Sequence, residues 1–163
     1  MRVLGIDPGL GITGYGIIEQ ADRRIRVIEA GVIRTDERRP LASRLTEIAS
    51  ELAAIIRESN PDAIAVEELY SHYQHPRTAI IMGHARAIVF LKAGEVGISV
   101  YPYASTRVKK SLTGNGRASK RQMQRMIMST LSLAKLPEPP DAADALAIAL
   151  CHCHHCREEE VAA

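Results

Sequence analysis

Val3-Leu4-Gly5-Ile6-Asp7-Pro8-Gly9 reads as a short apolar strand that runs into a carboxylate and then stops. Pro8 has no N–H to give a sheet ladder and Gly9 tolerates positive φ, so the chain turns directly after Asp7. The acid is thereby held at a strand end, beside a tight turn and next to the core. Taken alone, such an Asp is a turn former that bonds its own backbone. It becomes a candidate for chemistry only when other acids meet it.

Working outward, the segment from Gly11 to Ile18 (GITGYGII) predicts a second strand and Arg24–Arg34 a third. Glycines inside the second strand mark a close approach of another backbone or a ligand. The connections are short, with Asp22-Arg23 as the second turn, so the three strands form an antiparallel meander. Pro40 then opens an amphipathic helix to about Glu58, with Leu41, Leu45, Ile48, Leu52 and Ile55 at helical spacing. Asn60-Pro61-Asp62 ends it, and Ala63-Ile64-Ala65-Val66 is a fourth strand that also runs into acids, Glu67 and Glu68. A helical crossover makes this strand parallel to the first and part of the same sheet. Asp7 and Glu67 are therefore expected on neighbouring strand ends at one edge.

Leu69 to Pro76 (LYSHYQHP) is a polar, aromatic loop, and a helix follows from Arg77 to Ala93 with Ile80, Gly83, His84, Ala87, Ile88 and Leu91 along one side. Gly83 and Ala87, four apart, would let another helix come close. A fifth strand is expected at Ile98–Tyr101, bounded by Gly97 and Pro102. Ser105 is placed to cap a short helix carrying Lys109, and Gly114-Asn115-Gly116 is a loop. Ser119–Leu133 is a further helix with Met123, Met126, Ile127 and Leu131 inward. The last helix runs from Asp141 to about Cys156, and residues 157–163 are expected to fray.

With 163 residues, 46% of them hydrophobic, the chain suits a single domain over residues 1–156. No segment has the order of a signal peptide, and no uncharged apolar run approaches the length of a membrane span. Cys151, Cys153 and Cys156 are odd in number and too close together for a disulfide framework, which fits a reducing cytoplasm. The net charge of +2 says little about partners, but its distribution says more. Arg107, Lys109, Lys110, Arg117, Lys120, Arg121 and Arg125 follow one another with no Asp or Glu between them, as a polyanion-binding face would require.

The final helix, DAADALAIALCHCHHC, is apolar on every side and so is expected to be buried. Asp141 and Asp144 nevertheless sit on one face of its first turn. Helix dipoles favour such acids, which accounts for Asp141 as a cap but not for Asp144 among alanines. Joined to Asp7 and Glu67 they make a four-acid cluster, in which like charges would force protonation unless a cation is present. Carboxylate-rich sites suit Mg²⁺ or Mn²⁺, held in pairs in nucleases and polymerases. The neighbouring Cys and His residues at 151–156 suit a packed helix end better than zinc, because ligands consecutive on one helix point in different directions.

GIDPGLGITGYG, IAVEELY and PPDAADALAIALCHCH, in this order, resemble the RuvC family of bacterial Holliday-junction resolvases over residues 1–156. The resemblance implies an α/β, RNase H-like fold: a five-stranded mixed sheet, its first three strands antiparallel, flanked by helices. It also implies a cytoplasmic homodimer, coupled to the RuvA–RuvB branch-migration complex, that nicks two strands of like polarity in four-way junction DNA. The expected ends are 5′-phosphate and 3′-hydroxyl. The catalytic and metal-binding acids carry over onto Asp7, Glu67, Asp141 and Asp144, with two Mg²⁺ ions per site and Mn²⁺ as a substitute. Tyr70 matches an aromatic that stacks near the crossover, and Lys109 and Lys120 match the DNA-binding surface, to which the local charge adds Arg77, Lys110, Arg117 and Arg121. Tyr73-Gln74-His75 stands where relatives commonly have an Asn. An Asp followed by a glycine-rich hairpin also opens actin-like ATPases and sugar kinases, but their second phosphate loop and adenosine motif are not visible here.

Overall fold

β1 (Arg2–Asp7), β2 (Ile12–Ala21) and β3 (Arg24–Arg34) form the antiparallel meander. They are followed by α1 (Leu41–Ser59), β4 (Ala63–Glu67), α2 (Pro76–Glu95), β5 (Val100–Tyr103), α3 (Ser105–Thr113), α4 (Lys120–Thr130) and α5 (Pro140–Ala162). The structure is a computed structural model that describes residues 1–22, 24–69 and 76–162, with backbone alone at residue 76 and from residue 158 onward. The strand order is β3-β2-β1-β4-β5, with β4 parallel to β1 and β5 parallel to β4. This is the five-stranded mixed sheet that the sequence predicts.

β1 is the central strand and is covered on both faces, which explains why Val3, Leu4 and Ile6 are all apolar rather than alternating with polar residues. Val3, Ile18 and Ala65 pack on one side against Leu146 and Leu150 of α5. Leu4, Ile6, Ile64 and Val66 pack on the other against Ile48 and Leu52 of α1 and Val89 of α2. α5 lies unusually close to the sheet. A Cβ at Gly5 would run into the Ala145 carbonyl and the Ala149 amide, and one at Gly14 would run into the Asp141 carbonyl. The strand glycines are there to admit α5.

α5 is buried on all sides through its first three turns apart from Pro140, Asp141 and Asp144, as its composition predicts. It does not end at Cys156 but continues to Ala162, so the backbone of the segment expected to fray is helical. Successive residues on a helix are about 100° apart, and the three histidines accordingly reach different partners. His152 Nδ1 meets the Tyr103 hydroxyl at 2.7 Å, His154 Nδ1 the Ser111 hydroxyl at 3.1 Å, and His155 Nδ1 the Arg107 guanidinium at 3.0 Å. These contacts rivet α5 to β5 and α3, in keeping with a packed helix end.

Three local expectations are corrected. β5 starts at Val100 and runs through Pro102, which is tolerated because β5 is the sheet edge. On α2 the buried side is Ala85, Val89 and Ala93, whereas Ile80 and Leu91 are 63% and 55% exposed. The small residues let the helix axis approach α1 and the sheet, which turns the bulkier stripe outward. On α4, Met126 also faces solvent, while Ser119 and Gln122 close a reciprocal capping box at its start.

Candidate active site

The parallel register sets Ile6 beside Val66, so Asp7 and Glu67 leave the sheet as neighbours at the same edge. Asp7 faces Gly14 across the β1–β2 pair, and the missing side chain of Gly14 admits the Asp141 backbone. Asp144 follows one helical turn later. The result is a cavity of about 260 Å³ lined by Asp7, Glu67, Asp144, Ser105, Lys109 and Lys120 over an apolar floor that includes Val108 and Ile148. Asp141 stands outside this lining but is close enough to act on the charge of both Asp7 and Asp144.

Burial first, and then the charges of Glu67, Asp144 and Asp141, push the Asp7 carboxyl from its ordinary 3.8 up to about 7. Glu67 is also pushed up, mainly by burial, although hydrogen bonds from Asp7 and Ser105 and the Lys109 ammonium favour its ionised form. The pair is thus disposed to share one proton, held on Asp7 and donated to Glu67. Asp144 is raised by partial desolvation and by Asp141, against Lys120, but its side chain reaches solvent at the cavity mouth and the effect is correspondingly screened.

Such a set of hard oxygen donors has too much negative charge for its burial, and Lys109 and Lys120 offset only part of it. A divalent cation fits this donor set. Among the described residues no group of three or more His, Cys, Asp or Glu side chains is arranged to hold a metal ion. The acids instead surround an open space, which suits an ion that keeps some of its waters.

The remaining predicted residues fall into two groups. Lys109 and Lys120 face the acids, whereas Lys110, Arg117 and Arg121 are exposed on α3, on the α3–α4 loop and on α4, and Arg77 is exposed on the first turn of α2. Tyr70 and Tyr73-Gln74-His75 lie outside the described residues. Two residues the sequence did not single out touch the site. Ser105 is the first residue of α3, not its cap, and offers its hydroxyl to Glu67. Arg86 of α2 donates through Nε to the Glu67 carbonyl at 3.3 Å. The first was hidden by its suitability as a cap, the second by a separation of 19 positions along the chain.

The family model for crossover junction endodeoxyribonuclease RuvC matches residues 3–152. A crossover junction endodeoxyribonuclease RuvC from Rhodopirellula baltica is 48% identical over 91% of this chain and 84% of its own length. One from Pelotomaculum thermopropionicum is 44% identical over 95% of this chain and 94% of its own. Among solved structures, Thermus thermophilus RuvC in complex with a Holliday junction substrate superposes with a TM-score of 0.91 at 34% identity, covering 98% of this chain and 96% of that one. With a sheet of the expected order, acids at its expected edge and this degree of similarity over nearly its full length, the chain belongs to the RuvC family of crossover junction endodeoxyribonucleases.

Proposed function

We propose that this protein resolves Holliday junctions in recombination and repair by symmetric hydrolysis of two strands of like polarity, leaving 5′-phosphate and 3′-hydroxyl ends. The observation that carries the reading is that Asp7, Glu67 and Asp144 line one cavity with Lys109 and Lys120, in a chain of this family. RuvC nucleases are metal-dependent, and Asp7, Glu67, Asp141 and Asp144 would hold two Mg²⁺ ions, or Mn²⁺ in their place. Bound there, the ions supply an activated water and charge stabilisation for the departing 3′ oxygen. Lys109 and Lys120 bring positive charge to the rim, where they would draw a phosphodiester toward the acids. The apolar floor of Val108 and Ile148 limits how far water penetrates behind it.

The outward stripe of α2 supports a homodimer. Ile80, Ala87 and Leu91 recur at coiled-coil spacing and are exposed, with Phe90 beside them. Symmetric cleavage needs two active sites, and a two-fold pair of α2 helices would supply them. Junction DNA is the substrate this reading assigns, Tyr70 its stacking aromatic, and coupling to RuvA–RuvB its cellular setting.

The test is cleavage of a synthetic four-way junction beside linear duplex and RNA–DNA hybrid, with Mg²⁺ and with chelator. Paired nicks in the junction alone, lost on chelation, are expected. A preference for the hybrid would overturn the assignment.

A further inference from the structure

Glu67 ends β4, and its carbonyl has lost the donor that the sheet would ordinarily provide. Ile64 and Glu68 give their N–H groups to the Ser99 and Tyr103 carbonyls on the β5 side. Alternation along a parallel strand therefore turns the backbone groups of Ala63, Ala65 and Glu67 toward β1. With Ile6 opposite Val66, the N–H that would meet the Glu67 carbonyl one step on belongs to residue 8, and residue 8 is proline. The same proline that turns the chain after Asp7 thus leaves the neighbouring acid's backbone without a ladder bond. A half-buried carbonyl in that position costs free energy and leaves the strand end free to swing.

Arg86 occupies the gap. Its Nε lies 3.3 Å from the Glu67 carbonyl oxygen, and its guanidinium is steadied over the Phe90 ring, 4.7 Å from the centroid, one turn along α2. At the other end of the same residue, the Ser105 hydroxyl meets the carboxylate. Glu67 is therefore held from two helices, by its backbone and by its side chain.

We propose that Arg86 is a positioning residue that replaces the donor Pro8 withholds and, together with Ser105, orients Glu67 toward the acid cavity. This rests on the reading of Glu67 as an active-site acid. Because Arg86 acts through the backbone and not on DNA, its loss acts on turnover and on ion binding, not on junction affinity.

The test replaces Arg86 by Met, which keeps the aliphatic stem and removes the donor. Loss of a group that orients a metal ligand typically costs about 10- to 100-fold. A fall of that size in kcat is expected, with junction Kd unchanged and with weaker Mn²⁺ binding to the DNA-free protein in calorimetry. Pro8→Ala returns an N–H to residue 8, so Pro8→Ala with Arg86→Met is expected to recover turnover and Mn²⁺ affinity relative to Arg86→Met. Ser105→Ala should show a smaller loss, restored by Ser105→Thr. If Arg86→Met fails to fold, Arg86→Lys, which displaces the donor but keeps stem and charge, is read in the same way. Wild-type turnover in the Arg86 variant would overturn the proposal, as would parallel loss of junction binding. Glu67→Gln run alongside separates the two layers: if it remains active, the reading of Glu67 itself fails, whereas an inactive Glu67→Gln beside an unaffected Arg86 variant removes only the positioning role.

Discussion

A carboxylate among three others titrates against its neighbours as much as against water, and Asp7 is the extreme case here. Its folded pKa of about 7 lies above the ordinary 3.8, so the folded state retains a proton that the unfolded chain has already released. In chelator, the contribution of Asp7 to stability is therefore greatest below about pH 4, falls as pH rises toward 7, and is level beyond. The decline is shallower than for an isolated carboxyl, because Asp7 and Glu67 share the proton. Thermal melts of the metal-free protein should show this decline, and Asp7→Asn should flatten it and raise the melting temperature at pH 8. Mg²⁺ should stabilise the wild type more at pH 8 than at pH 5, since protons compete for the same oxygens. The same Asp7→Asn protein should bind four-way junctions but not cleave them, and retained cleavage would sink the role assigned to Asp7. At this level the sequence was informative because a buried strand has no reason to end in an acid. Ser105 was misread because a serine before a helix satisfies the capping rule whatever else it touches.

The approach of α5 to the sheet is what carries Asp141 and Asp144 to Asp7. Gly14→Ala places a methyl group against the Asp141 carbonyl, and the helix must move. Overpacking of this kind typically costs about 1–3 kcal/mol. Denaturant melts should register that loss, while junction cleavage falls by more than junction binding does. The glycine pattern GITGYG announced a close approach but not by which element. α2 is the contrary case. Its apolar residues are spread around the helix, so periodicity could not decide which stripe faces inward, and the small stripe Ala85, Val89, Ala93 won because it permits closer packing. If the outward stripe is a dimer surface, Leu91→Glu should yield a monomer in sedimentation and abolish paired nicking. Exposed substitutions usually alter monomer stability by no more than about 0.5 kcal/mol. An unchanged dimer would reject this surface.

Across the molecule, the folding of α3 and α4 beside α5 brings a basic segment to an acidic cavity, with Lys109 and Lys120 at the rim and Lys110, Arg117 and Arg121 farther out. Removing a lysine that neutralises one phosphate should reduce the slope of log Kd against log salt by about one. Junction binding by Lys109→Ala and by Lys120→Ala, measured over a salt series, should show that reduction, and a slope equal to the wild type's would remove the lysine from the DNA surface. The elements, their order and the meeting of acids at one sheet edge were readable in the chain because each depends on local features: a strand stopped by Pro8-Gly9, a helix opened by Pro40, an all-apolar helix with acids in its first turn. The tertiary structure alone decided which face of α2 is buried, how Ser105 is used, and that Pro8 stands opposite the carbonyl of Glu67 and leaves a place for Arg86. Those outcomes depend on strand register and helix packing between residues far apart in the chain, where spacing along the sequence carries no distance information.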